Sequence, residues 1–191
     1  MGPVDELLCA GDAVYQFRFS NDVIARLREV GARFILGNHE EILLSDAGVR
    51  ARESPKVDRE LLAWTAEHPN TLRTKVDGKT LFMFHATPWE PHRDYLYPSS
   101  ADLQKLAHLE ADFVIYGHTH YQLERRIGSA LVINPGSAGE PRDPHNDFQL
   151  SYAVLDTSDE SVTFDNFSDP TRVVARHSGV PRSSPRGASD V

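Results

Sequence analysis

The sequence predicts an α/β fold of two packed sheets with helices outside, and two observations lead to this prediction. In the first third of the chain, short apolar runs alternate with stretches of helical periodicity, which is typical of βα units. From residue 71 onward, apolar runs come in pairs joined by tight turns, which is typical of antiparallel hairpins. Residues 171–191 are rich in Ser, Pro and Arg, so we expect one domain over residues 1–170 and a disordered tail over 171–191.

Four elements are predicted in the first part of the chain. Residues 7–10 form a short apolar run, which predicts a strand. Residues 20–30 are predicted to be helical, because apolar residues recur at helical spacing after a serine that can cap a helix. Residues 34–36 are predicted to form the next strand, and residues 57–68 a second helix.

The second part of the chain is predicted to be rich in strands. Asp77-Gly78 separates the apolar runs 71–76 and 79–84, and this dipeptide is a strong hairpin signal. Gly128-Ser129 separates a second pair in the same way. The remaining predicted elements are a short helix over residues 100–109 and strands over 113–116, 122–127, 130–133, 148–155 and 161–167.

Five apolar runs end in polar residues that can bind metals or anions. In chain order these ends are Gly11-Asp12, Gly37-Asn38-His39-Glu40, His85, Gly117-His118-Thr119-His120 and Asn134-Pro135-Gly136-Ser137. A single histidine after a strand is usually structural, but five such ends in order are not explained by chance. Ligand sites in open α/β sheets lie beyond the carboxyl ends of the strands. Asp, Asn and His supply oxygen and imidazole ligands, so the pattern predicts a site for divalent metals.

These segments, in this order, resemble the motif series of the calcineurin-like metallophosphoesterases. Residues 133–137, followed by Pro141-Arg142-Asp143, are similar to the small bacterial phosphodiesterase branch of that family. The resemblance implies a four-layer α/β/β/α sandwich of two mixed sheets with two divalent metals at one edge. It also implies a metal-dependent phosphoester hydrolase, and a phosphodiesterase by expectation, in which a hydroxide bridging the metals attacks phosphorus.

The resemblance also assigns roles to individual residues. The implied metal ligands are Asp12, bridging both ions, Asn38, His85 and His118 at the second site, and His120 at the first. His39 is the expected catalytic residue, either stabilising the transition state or donating a proton to the leaving group. Two interpretations of Glu40 stay open: it orients the ring of His39, or it is an exposed acid at a helix start.

One part of the family pattern is not found in this sequence. Members of the family begin with a strand that ends in Asp-x-His, which gives the first metal two ligands. The only triplet of that form here, Asp143-Pro144-His145, lies in a late loop, and we interpret it as coincidence. We therefore expect the first strand and helix of the fold to be absent, the second metal site to be complete, and the first to lack two ligands.

The incomplete site leaves two functions open. The first is a phosphodiesterase that is impaired as written, with manganese as the expected metal and Fe, Zn or Ni as alternatives. The second is a catalytically inactive scaffold for protein interaction, as in the small cargo-recognition subunit of retromer, which resembles this fold. Metal content and turnover of a phosphodiester would distinguish them.

Composition limits the partners. A net charge of −8 disfavours general binding to nucleic acid, so a small phosphoester is the expected partner. The sequence has no apolar stretch of membrane-spanning length and no signal-like start, which predicts a cytoplasmic protein without membrane attachment.

Two loops have more than one interpretation. The loop with Trp89, His92, Tyr95 and Tyr97 has three interpretations: it determines which substrate binds, it forms a dimer contact, or it only packs against the rest of the protein. For residues 134–137, we favour a role in supporting the loops that carry the metal ligands over the alternative of a plain glycine-rich turn.

Overall fold

The computed structural model describes residues 4–90 and 93–169; the predicted tail and His92 lie outside these ranges. The strands are β1 Leu8–Cys9, β2 Arg33–Phe34, β3 Thr71–Val76, β4 Lys79–Phe84, β5 Phe113–Ile115, β6 Gln122–Ile127, β7 Ala130–Pro135, β8 Leu150–Asp156 and β9 Ser161–Phe167. The helices are α1 Asn21–Glu29, α2 Asn38–Leu44, α3 Val49–Arg52 and α4 Arg59–Ala66, and short 3-10 helices span Asp46–Gly48, Ala101–His108 and Pro144–Asn146.

Most of the predicted elements are confirmed. Both central residues of the first hairpin, Asp77 and Gly78, have positive φ, as the favoured two-residue turn requires. The helix expected over residues 100–109 is present as a 3-10 helix. The sequence analysis predicted no extent for α2 and did not predict α3, because residues 37–40 were interpreted mainly as a ligand-bearing turn, with a helix start only as one alternative for Glu40.

A five-stranded mixed sheet, in the order β3-β4-β5-β7-β6, is the centre of the fold. The three middle strands are parallel, and the two outer strands pair antiparallel to them through their hairpins. The described residues also form two smaller sheets, a parallel β1-β2 pair and an antiparallel β8-β9 hairpin. The mixed α/β class is therefore confirmed, while the described strands fall into three hydrogen-bonded sheets rather than two; the four-layer arrangement stays a prediction.

The central sheet is buried on both faces. Along β4, Leu81 and Met83 pack toward β1, Ile35 after β2 and the β8-β9 hairpin, whereas Phe84 packs toward the 3-10 helix Ala101–His108. Strands β5 and β7 alternate in the same way, which explains their almost continuous apolar sequence. A third cluster joins α1, α2 and α4 beside the small parallel sheet. The carboxyl ends of β1, β4 and β5 consequently open on one edge. Over residues 4–90 and 93–169, no helix has the length and apolar character needed to cross a membrane.

Candidate metal centre

The loop after β1 presents Asp12 through an unusual backbone turn. Gly11 and Asp12 both have positive φ, 92° and 57°. A Cβ on Gly11 would lie 2.7 Å from the Gly37 nitrogen and 2.7 Å from Nδ1 of His85, so only glycine fits between these segments. The Asp12 side chain is thereby directed at the start of α2, where its Oδ1 accepts the backbone N–H of His39 at 2.9 Å.

Glu40 holds this loop and α2 together from inside the protein. Its carboxylate is fully buried and accepts three backbone N–H groups, from Asp12 at 2.8 Å, Val14 at 3.0 Å and Gly37 at 2.8 Å. Burial, together with the charge of Asp12, raises the pKa of Glu40. Nδ1 of His39 bonds to the carbonyl of Val14 at 3.0 Å, so the interpretation that Glu40 orients this ring is wrong. The helix start is confirmed, because Glu40 lies in the first turn of α2, but its side chain is buried rather than exposed.

His85 follows β4 and is almost fully buried. Its Nδ1–H donates to the carbonyl oxygen of Ala10 at 2.7 Å, which turns Nε2 toward Asp12 and Asn38. An outer hydrogen bond of this kind fixes the tautomer and direction of a metal-binding histidine. Burial opposes a positive charge on His85, but the Asp12 carboxylate outweighs it and raises the pKa of the ring.

The loop after β5 brings His118 to the same point. His118 and His120 both have positive φ, 65° and 60°, so the chain turns sharply twice around Thr119. Asn134 fastens this turn, since its amide donates to the carbonyl of Gly117 at 2.8 Å and to the hydroxyl of Thr119 at 3.1 Å. The interpretation of residues 134–137 as support for the loops that carry the metal ligands is consistent with these bonds.

Four potential ligand atoms converge at this edge of the sheet. Asn38 Oδ1 lies 2.9 Å from both His85 Nε2 and His118 Nδ1, and the two histidine nitrogens are 3.0 Å apart. Asp12 Oδ2 lies 3.2 Å from His85 Nε2. Ligand atoms of Asp12, His85 and His118 all fall within 4.8 Å of one another. With metal–ligand bonds of about 2.1 Å, neighbouring atoms of a tetrahedral or octahedral shell lie about 3.0–3.4 Å apart, and the measured separations of 2.9–3.2 Å are close to that spacing, so this group could hold a divalent ion.

The electrostatics of the cluster also favour a cation. Burial and the neighbouring His85 lower the pKa of His118 to about 4, so its ring is neutral. Although burial alone would raise the pKa of Asp12, its contact with His85 lowers it, and the carboxylate is ionised. The cluster therefore consists of electron-pair donors with one negative charge and few hydrogen-bond donors. Among the described residues, His118 Nε2 is a buried nitrogen without a hydrogen-bond partner, whereas Nδ1 of the same ring is the atom that lies beside Asn38 and His85.

His39 and His120 lie beside this cluster rather than in it. His39 Nδ1 is 3.8 Å from Asp12 Oδ2, and its bond to the Val14 carbonyl leaves Nε2 as the free nitrogen. His120 Nδ1–H donates to the carbonyl of Glu140 at 2.8 Å, which likewise leaves its Nε2 free. Burial and the charge of Arg142 lower the pKa of His120. The roles of His39 as catalytic residue and His120 as ligand stay predictions.

Other predicted residues lie elsewhere, and some contacts were not foreseen. His145 bonds to Asp143, not to the metal cluster, in agreement with the coincidence inferred for that triplet. The sequence analysis missed Tyr15, whose ring stacks on His39 at 5.8 Å, and the contact of Tyr95 with His118 at 4.1 Å. No local sequence signal identifies Tyr15, because the fold alone brings it to His39.

Comparisons with known proteins identify the family and the fold that this chain resembles. A family model described as the calcineurin-like phosphoesterase superfamily domain matches residues 1–160. An uncharacterised protein of Methanocaldococcus jannaschii is 26% identical over 83% of this chain and 74% of its own length. The structure of a metallophosphoesterase from Sphaerobacter thermophilus has a TM-score of 0.68 at 22% identity, over 87% of this chain and 79% of that one. A novel archaeal phosphodiesterase gives a TM-score of 0.52 at 20% identity, over 86% and 84%. At these identities, the two structures show the shared fold.

Proposed function

Because this chain belongs to the calcineurin-like phosphoesterase superfamily, we propose that it hydrolyses phosphoesters, with phosphodiesters as the preferred class. The cofactor is a divalent metal, with manganese the first ion to test. A small phosphoester is the proposed partner, and the cytoplasm the proposed location.

One observation carries this proposal. Asn38 Oδ1, His85 Nε2 and His118 Nδ1 meet within 3.0 Å, while the Nδ1–H of His85 donates to the carbonyl oxygen of Ala10. A divalent cation at the meeting point would accept a lone pair from each of the three atoms. The donor set of oxygen and imidazole atoms suits manganese, iron or zinc.

A divalent ion bound here would supply Lewis acidity toward a phosphate oxygen and would acidify water. The protein's own side chains would hold the ion and face the substrate. Asp12 offers a charged oxygen held in place by Glu40 and α2. His39 keeps its Nδ1 proton on the Val14 carbonyl, so its Nε2 is the atom proposed to face the substrate. A protonated Nε2 there would donate a hydrogen bond to a phosphate oxygen or a proton to the leaving group.

The proposal is tested by metal titration and turnover in parallel. The full chain is stripped with a chelator and titrated with Mn²⁺ by calorimetry, and hydrolysis of bis(p-nitrophenyl) phosphate is compared with that of p-nitrophenyl phosphate. We expect about one tightly bound ion per chain and faster turnover of the diester. His85→Ala should remove both properties, whereas His108→Ala, an exposed histidine of the 3-10 helix Ala101–His108, should preserve them.

Tight metal binding without turnover of either ester would reject the enzymatic proposal and favour the scaffold function. Turnover that survives both chelation and His85→Ala would reject the assigned site.

A further inference from the structure

We propose that an aromatic surface beside the metal centre binds the base of a nucleotide-type phosphoester. This surface, the aromatic ladder, consists of the rings of Tyr95, Tyr97, Tyr121 and His145. The inference rests on the proposed function, because the metal centre is the place where the phosphate of such a ligand would lie.

The ladder begins at a predicted metal ligand and continues outward ring by ring. The Tyr95 ring lies 4.1 Å from the ring of His118, and Tyr97 stacks on Tyr95 at 5.7 Å with an angle of 9°. Tyr121 meets Tyr97 edge-on at 5.2 Å, and His145 follows at 6.5 Å. These separations lie within or close to the range of favourable ring contacts. The metal cluster and the outermost ring are therefore joined by an unbroken series of aromatic contacts.

The outer half of the ladder lines a cavity of about 540 Å³ that is widely open to solvent and is formed by Tyr97, Pro98, Ser99, Tyr121 and His145. That volume lies in the range of small-molecule sites. Tyr95 and Tyr97 remain 49% and 38% exposed, so their rings are available to a ligand. Single exposed aromatics are ordinary, but a continuous set beside a metal site indicates binding.

The cavity is held in shape by polar contacts beneath it. Buried Asp143 accepts the backbone N–H of Gln122 at 3.0 Å and that of His145 at 2.8 Å, which fixes Tyr121 and His145 relative to each other. On the opposite side, Arg125 of β6 donates to the carbonyl of Pro98 at 2.9 Å. A preformed aromatic surface loses little entropy when a flat ring stacks on it.

The chemistry of the lining selects the ligand. The ladder offers flat π-faces, and the cavity adds a hydroxyl and an imidazole at its edge, while the lining residues within the described ranges include no lysine or arginine. The nearby Arg125 guanidinium is held by the carbonyl of Pro98, whereas the lining itself lets a nucleobase stack on tyrosine and hydrogen-bond to Ser99 or His145. The phosphate belongs at the metal end and the base at the tyrosine end.

The inference is tested by binding, independently of turnover. Calorimetry in the presence of Mn²⁺ compares AMP with ribose 5-phosphate, which has the same phosphate and sugar but no base. Because stacking of a base on an aromatic side chain changes affinity about tenfold or more, we expect AMP to bind at least about tenfold more tightly. Tyr97→Leu should abolish this preference, and Tyr97→Phe should keep it. Tyr152→Leu, on β8 and outside the ladder, should also keep it.

Equal binding of AMP and ribose 5-phosphate by the wild type would overturn the inference, as would an AMP preference that persists in Tyr97→Leu. Loss of the preference in Tyr152→Leu as well would show a general structural effect and also count against it. Hydrolysis of bis(p-nitrophenyl) phosphate, measured on the same samples, separates the two proposals. An AMP preference without metal-dependent turnover rejects the phosphoesterase function but not the base site.

Discussion

The carboxylate of Glu40 accepts the backbone N–H of Asp12 at 2.8 Å, across 28 positions of sequence. The same oxygen accepts the N–H of Gly37, so one buried atom joins the loop after β1 to the start of α2. Both segments carry predicted metal ligands. The distance between Asp12 and Asn38 therefore depends on a residue that is not itself expected to touch the metal.

Glu40→Gln should lower both stability and metal affinity. Glutamine has one accepting oxygen, so at least one of the three N–H groups would face an NH₂ group and lose its buried partner. We expect the free energy of unfolding in urea to fall by about 1–3 kcal/mol, and the affinity for Mn²⁺, measured by calorimetry, to fall about 10–100-fold. Glu41→Gln is the matched control, because Glu41 is the exposed neighbour on α2. Equal effects of the two substitutions would contradict the role of Glu40.

The predicted ligands were found from sequence because each follows a buried strand or opens the helix after one. Asp12, Asn38, His85 and His118 occupy such positions, and parallel strands that end at one edge of the fold bring them together without further information. The prediction needed only the order of the strands and the chemistry of the side chains.

The role of Glu40 could not be predicted in this way. Its partners Asp12 and Val14 lie 28 and 26 positions away and offer backbone N–H groups, which have no sequence signature. The extent of helix α2 was not predicted for a related reason: the polar residues Asn38, His39 and Glu40 indicate a loop, yet they form the first turn of a helix whose buried Leu43 packs on α1 and α4. Tertiary packing decided the conformation there, not local propensity.

Asp12→Asn should abolish tight metal binding while the fold is retained. The substitution removes the negative charge of the cluster but keeps an accepting oxygen for the N–H of His39. Asparagine also tolerates the positive φ of 57° at this position. We expect the affinity for Mn²⁺ to fall by more than about 100-fold, since changes outside the ligand shell alone cost about 10–100-fold. Circular dichroism should be unchanged, and Asp22→Asn, an exposed acid in the first turn of α1, should bind metal normally. Unaltered affinity in Asp12→Asn would show that the ion is bound elsewhere.

Gly37→Ala should disrupt the site by overpacking. A Cβ at this position would lie 2.3 Å from Asp12 Oδ1 and 2.6 Å from the Asp12 nitrogen, so the Asp12 loop would have to move. We expect unfolding to become easier by about 1–3 kcal/mol, with a parallel loss of metal affinity. Gly139→Ala provides the comparison, because an added methyl group there meets nothing within 4 Å. That variant should change stability by less than about 0.5 kcal/mol. Normal Mn²⁺ binding by Gly37→Ala would refute the close packing of Asp12 against α2.

Glu160 should make a pH-dependent contribution to stability through its contacts with two strands of the central sheet. Its carboxylate pairs with Lys79 of β4, at 2.6 Å, and with Arg126 of β6, and these contacts lower the pKa of Glu160 to about 2. A carboxyl group with a lowered pKa stabilises the fold above its unfolded value, near 4.5, and loses that effect as the pH falls toward 2. The urea midpoint of Glu160→Gln should therefore be below that of the wild type at pH 7, and the two should converge between about pH 4.5 and pH 2.

Glu29→Gln, which breaks a pair with Arg26 that is 68% exposed on both sides, should shift the pH 7 midpoint much less. A constant gap for Glu160→Gln across the whole pH range would instead indicate that the substitution acts through packing.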